Sequence, residues 1–317
     1  VAACFIFLYC SLLVAYFSGI SPMLAAIVYS VSGVAVSEEF LLAGFASFFA
    51  LALMWGTHGV SLINSWLSIG MFLCFFALTL LWVPQIEEEN LVHGDWSLAL
   101  LATPVLFSAF GYHNIVPSLC TLLRRDRIAL RQSIILGTVL AYALFMVWQW
   151  VIIGTLSLES IQEGLAANVP VTEIIGNHTG ISSVAIFYAK GFAFFAIATS
   201  LLGVSLSLVD FYADSFRISA RGFARLGLVV LSILPSLAFA MLYPDIFLSA
   251  LGLAGGIGEA LLNGIIPLAM VWMARYVFKA ETRGGWKPQL GGGRSVLLGL
   301  FACAWLVFTV ELWILLF

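Results

Sequence analysis

Leu122-Leu123-Arg124-Arg125-Asp126-Arg127-Ile128-Ala129-Leu130-Arg131 sets four arginines between two long apolar runs. Two further stretches repeat the pattern, one with Arg217, Arg221 and Arg225, the other with Arg275, Lys279, Arg283, Lys287 and Arg294. Together the three hold twelve of the chain's 13 Lys and Arg residues; the remaining one is Lys190. The connections between them carry acids instead: Glu38 and Glu39, then Glu87, Glu88, Glu89 and Asp95, then Glu159, Glu163 and Glu173, and finally Asp245. Basic residues near span ends stay on the cytoplasmic side during insertion. The alternation therefore predicts a polytopic membrane protein with its three basic loops inside.

Composition agrees. A chain with 62% hydrophobic and 9% charged residues and a mean hydropathy of +1.10 does not match a water-soluble domain. A membrane span needs about 20 mainly apolar residues, and nine runs qualify, roughly 1–17, 40–55, 62–83, 97–120, 133–156, 181–212, 226–243, 246–277 and 296–317. They are continuous rather than alternating, which points to helices and away from barrel strands. The run 22–36 is short and reads as an interfacial or re-entrant piece. The charge pattern places residues 18–39, 84–96 and 157–180 outside, starts the chain inside and ends it outside. The expected architecture is all-α, a membrane helix bundle forming one transmembrane domain over residues 1–317. Because the chain opens on Val1 within an apolar run, it reads as N-terminally incomplete.

The net charge of −3 has little meaning when the two signs lie on opposite sides of a bilayer, and nothing suggests nucleic-acid binding. Cys4, Cys10, Cys74, Cys120 and Cys303 all fall within expected spans, with no disulfide framework or metal pattern. No cofactor is expected. Asn177-His178-Thr179 matches the glycosylation tripeptide, a pattern common by chance.

Chemistry has to be sought inside the spans. Run 97–120 contains Pro104, then Gly111, Tyr112, His113 and Asn114 together, then Pro117. Gly and Pro weaken the backbone ladder, and the polar side chains arrive where lipid offers no partners. Two readings stand: a broken helix whose free backbone groups meet a substrate, as in secondary transporters, or a kinked span whose His113 satisfies a neighbouring helix. In run 181–212, Thr199, Ser200, Gly203, Ser207, Asp210 and Asp214 fall within about 60° of one line at 100° per residue, a stripe expected to face inward. Hydroxyls beside a small residue suit close helix packing or the oxygen shell of a small cation. Lys190 points to the opposite side and either snorkels or pairs with an acid. In run 246–277, positions Gly252, Gly256, Glu259 and Asn263 share a face. A carboxylate there is either a proton carrier or substrate-amine partner, or reaches water in an outer vestibule.

Phe107-Ser108-Ala109-Phe110-Gly111-Tyr112-His113-Asn114-Ile115-Val116-Pro117-Ser118 resembles the central motif of the bacterial hydroxy/aromatic amino acid permease family. Ala198-Thr199-Ser200-Leu201-Leu202-Gly203-Val204-Ser205-Leu206, continuing to Asp210-Phe211-Tyr212-Ala213-Asp214, is similar to that family's eighth span. Leu234-Pro235-Ser236-Leu237-Ala238-Phe239-Ala240 with Tyr243-Pro244, then Ala250 to Gly255, resembles its ninth-to-tenth region. These matches cover most of residues 97–277, and the tyrosine-specific permeases look nearest.

The resemblance implies an inverted-repeat architecture of the leucine-transporter type, with this chain holding spans three to eleven and lacking the first two. Run 97–120 would be the broken sixth span. The resemblance further implies that Gly111, Tyr112, His113 and Asn114 meet the amino acid, with Phe107, Phe110 and Tyr112 along its ring and Tyr9 as a pocket or gate residue. Tyr16 is a second such tyrosine on the same span. Thr199 and Ser200 match positions where sodium-coupled relatives of the wider superfamily place cation ligands; with Glu259 they are the ion-coupling candidates. Several family members carry a Lys in span five where this chain has Met71, a departure that leaves the coupling ion open between proton and sodium. The implied function is import of an aromatic amino acid, tyrosine or else tryptophan, by cation symport with protons across the bacterial inner membrane. A sodium-coupled or exchange transporter of another amino acid is the alternative. A channel would require a filter motif or polar residues repeated along several spans, and an intramembrane enzyme a paired nucleophile and base; neither is visible.

Overall fold

A computed structural model describes residues 2–92, 94, 96–113, 116, 119–120, 123–166, 174, 183–278 and 293–316. Asp95, Asn114, Pro117, Ser118, Glu173, Asn177–Thr179, Lys279, Arg283 and Lys287, all singled out in the sequence, lie outside the described residues. Among the described residues every regular element is helical. Seven helices are long and apolar enough to cross a membrane. They correspond to seven of the nine expected runs, and the other two differ for local reasons.

Helix α1 runs without interruption over Ala2–Ser32. It absorbs the segment expected to lie at the interface, because Pro22 is accommodated inside the helix rather than ending it. Helix α2, Glu38–Met54, is 17 residues long, about 25 Å. It gives way to α3, Gly56–Trp82, across Trp55, where Gly56 adopts a positive φ of 79° that a side chain would resist. After a short helix α4, Glu88–Val92, the run beginning at residue 97 becomes a 3₁₀ segment, Trp96–Ala102, and a seven-residue helix α5, Thr103–Ala109. Next come α6, Arg127–Thr155, a short α7, Leu158–Ala166, and then α8, Ser183–Phe216, and α9, Gly222–Leu242. A composite helix α10 spans Pro244–Val277, and α11 spans Gly293–Leu316.

The basic loops sit at helix boundaries. Asp126 caps α6 by accepting from the amides of Ile128 at 2.9 Å and Ala129 at 3.2 Å, so the arginine-rich stretch also starts a helix. Arg225 is not a loop residue: it lies in the first turn of α9 and is 8% exposed. Its Nε donates to the Leu53 carbonyl at 2.7 Å, supplying a partner at the C-terminal end of α2.

The helices gather into two compact units. One comprises residues 12–94 and 123–250. In it α3 and α8 pack lengthwise, and small residues set their approach: a Cβ on Gly70 would stand 2.8 Å from the Phe195 ring, and one on Gly191 would be 3.0 Å from Cys74 Sγ. The Trp148 ring of α6 packs against that of Phe192 of α8, tilted by 39° with centroids 4.8 Å apart. Ile135, Leu136, Leu140 and Tyr142 of α6 are exposed, as lipid-facing residues should be. The other unit comprises residues 1–11, 95–122 and 251–317. Its centre is the segment Ala254–Ile265 of α10, which is wound as a π-helix. Glycines open this wide segment to its neighbours: a Cβ on Gly258 would meet Leu8 of α1 at 2.8 Å, and one on Gly264 would meet Ala304 of α11 at 2.6 Å.

Candidate functional site

The apolar run from residue 97 leaves the α-helical conformation after Ala109. Phe110 closes a turn on the Phe107 carbonyl at 3.3 Å, Tyr112 bonds to the Phe110 carbonyl at 2.9 Å, and Gly111 and Tyr112 are non-helical. The break expected from Gly111 is therefore present. It lies against the π-helical stretch of α10, where Glu259 is 2% exposed. Such stretches occur disproportionately at functional sites.

Gly111 makes the approach possible, since a Cβ there would fall on the Glu259 carboxylate, 2.7 Å from its Cδ. His113 Nδ1 is 3.5 Å from Glu259 Oε2, and the same oxygen accepts from Asn263 Nδ2 one turn further along α10. Tyr9, 2% exposed on α1, places its ring centroid 6.3 Å from that of His113, and Phe5 backs Tyr9 at 4.1 Å. Among the described residues neither ring nitrogen of His113 has a hydrogen-bond partner, so its approach to Glu259 is an ion-pair contact only. A buried carboxylate costs roughly 3 kcal/mol or more in a membrane span unless it is neutralised or hydrogen-bonded. Here one oxygen has an amide donor and an imidazole within ion-pair distance.

Of the residues expected at the site, the structure brings together Tyr9, Gly111, His113 and Glu259. Phe107 lies nearby on α5, 3.6 Å from where a Cβ on Gly264 would stand. Phe110 is half-buried and Tyr112 is 39% exposed. Asn114 lies outside the described residues. Thr199 and Ser200 belong to the other unit, half-buried on α8, where Thr199 Oγ1 donates to the Ala196 carbonyl at 3.0 Å. The stripe they begin is half-buried at Ser207 within its own unit. Gly203, Asp210 and Asp214 are exposed, because α8 turns its apolar face, with Leu201, Leu202, Leu208 and Val209, into the packed interior. Met71 is half-buried on α3.

Two residues went unremarked as site members. Asn263 stood on the expected shared face but gained significance only through its bond to Glu259. Glu311, 4% exposed on α11, is a second buried acid in the same unit. Its signal in the sequence is a single carboxylate in an otherwise uncharged run of about 20 residues.

A broken helix beside a buried carboxylate in a polytopic helical bundle is the arrangement of a membrane permease. The chain belongs to the tryptophan/tyrosine permease family, whose model matches residues 1–311. It is 33% identical over 282 residues to "Tyrosine-specific transport system 1" of Haemophilus influenzae, an alignment covering 86% of this chain and 68% of that protein. It is 28% identical over 295 residues to the "Tryptophan-specific transport protein" of Pseudomonas aeruginosa, covering 90% and 69%. With the "Low affinity tryptophan permease" of Escherichia coli it shares 27% identity over 202 residues, covering 63% and 48%. No solved structure matches. The protein is thus a transport protein and not an enzyme.

Proposed function

We propose that this chain imports an aromatic amino acid, tyrosine in preference to tryptophan, across the bacterial inner membrane by proton symport, and that residues 1–317 act as one transmembrane domain of the inverted-repeat type. Transport of an aromatic amino acid follows from the family and from the named activities of the relatives. Preference for tyrosine rests on the 33% identity to a tyrosine-specific relative against 28% to a tryptophan-specific one.

The observation that carries the coupling ion is the buried contact of His113 with Glu259. With one proton the pair is neutral; with two it bears a single positive charge. Loading the second proton from the acidic outer side creates a charge that the carboxylate of an incoming amino acid offsets. Proton and substrate thereby favour each other's binding, which is what symport requires. Gly111 lets the substrate's backbone groups approach the main chain at the break, Asn114 is the polar residue that follows it in the sequence, and Tyr9, Phe107, Phe110 and Tyr112 offer the ring apolar and edge contacts. Alternating access then exposes the loaded site to either side in turn. Thr199 and Ser200 supply hydroxyls that would matter more to a sodium-coupled carrier; the half-buried Met71, with no ammonium to replace a metal ion, leaves them as secondary coupling candidates.

Substrate is tested by radiolabelled tyrosine uptake in proteoliposomes, competed with unlabelled tyrosine, tryptophan, phenylalanine and leucine. The proposal expects tyrosine to compete best and leucine not at all. Equal competition by leucine would remove the aromatic assignment.

A further inference from the structure

Glu311 has no part in the reading above. It lies near the end of α11, 4% exposed, and its seat is made by two glycines of α10. A Cβ on Gly256 would fall on the Glu311 stem, and one on Gly252 would stand 3.2 Å from Oε1. Larger residues at these positions would deny the carboxyl group its place against the α10 backbone. Among the described residues no ion pair engages it. An ionised carboxylate in such a seat is costly.

The elements packed against α11 are α10, α5 and the 3₁₀ segment Trp96–Ala102. Neither α5 nor the 3₁₀ segment bears a titratable side chain, although His113 follows α5 in the chain. On α10 the titratable and charged groups are Asp245, Glu259, Arg275 and Tyr276. The last two gather at the far end of α11, where Arg294 lies 4.9 Å from the Tyr276 ring centroid, about 25 Å along the helix from Glu311. Asp245 precedes the glycine seat by seven residues, roughly 10 Å of rise. Glu259 follows Gly256 by three residues, about one turn deeper from the Pro244 end of α10. Because the basic residues of α10 lie at its other end, the Pro244 end faces outside. A carboxyl group thus sits between the outer surface and Glu259.

Building on the proton-symport reading, we infer that Glu311 is the outer station of the proton path to the Glu259–His113 pair. A proton bound to Glu311 passes through water to the Glu259 carboxylate, and the Glu311 carboxylate so formed is reprotonated from the outer solution. No other bond changes. The glycines at 252 and 256 keep the station close to the helix that carries the acceptor.

The test is the dependence of initial tyrosine uptake on external pH in proteoliposomes containing wild type, Glu311→Gln, Glu311→Asp or Gly256→Ala. A single rate-setting proton site changes uptake by up to about tenfold per pH unit. Wild type should rise towards acid pH, Glu311→Gln should lose that slope at normal membrane abundance, and Glu311→Asp should restore it. Gly256→Ala keeps the acid but crowds its stem, and should shift the profile. A wild-type slope in Glu311→Gln would make Glu311 a packing residue and overturn the relay alone. If Glu311→Gln fails to insert, a wild-type profile in Gly256→Ala overturns it. A wild type that does not respond to pH would overturn proton symport and the relay together.

Discussion

His113 Nδ1 stands 3.5 Å from Glu259 Oε2, joining the residue after a helix break to the widened middle of another helix. Gly111 removes the side chain that would lie between, and Asn263 holds the shared oxygen from its own helix. The polar groups that lipid would penalise thus serve one another.

Gly111→Leu should abolish uptake while leaving insertion intact. Even a Cβ there displaces the Glu259 carboxylate, and the larger side chain also blocks backbone approach at the break. Uptake per inserted molecule is the measurement, and wild-type transport by this variant would contradict the placement of the site.

His113→Ala should lower aromatic amino acid uptake per molecule by about tenfold or more, equivalent to losing a contact worth about 1.4 kcal/mol. Abundance should fall much less, since His113 has a side-chain exposure of 25%. Loss of abundance with unchanged transport per molecule would make His113 a packing residue.

Arg225→Ala should destabilise the protein by about 1–3 kcal/mol, the cost of leaving a buried carbonyl without its charged donor. The affected group is the Leu53 carbonyl at the end of α2. Thermal unfolding in detergent should register the loss, and an unchanged Tm would show that the bond contributes little.

Cysteines introduced at Glu88 and Arg221, both exposed, should react with a membrane-impermeant thiol reagent from opposite sides. The background should have all five native cysteines replaced. Labelling of both from the same side would contradict the topology between them.

The membrane class and nearly all span positions were legible because hydrophobicity and charge act residue by residue. The break at Gly111 was legible for the same reason: glycine and polar residues in a lipid-facing run conflict locally. What the sequence did not reveal depends on partners. Glu311 is quiet in its own run and becomes notable only against Gly252 and Gly256 of another helix. Which side of α8 is covered is also a matter of packing: Gly70 and Gly191 bring its apolar side onto α3. Likewise α1 continues through Pro22, since a proline within a membrane helix need not end it.

The central claim, that the Glu259–His113 pair couples proton entry to amino acid uptake, is tested most directly by tyrosine accumulation in sodium-free proteoliposomes under an imposed inward proton gradient. Wild type should accumulate tyrosine above the external concentration and lose this on addition of a protonophore, whereas Glu259→Gln should reach equilibrium and go no further. Gradient-driven accumulation by Glu259→Gln, or wild-type accumulation indifferent to the protonophore, would contradict it.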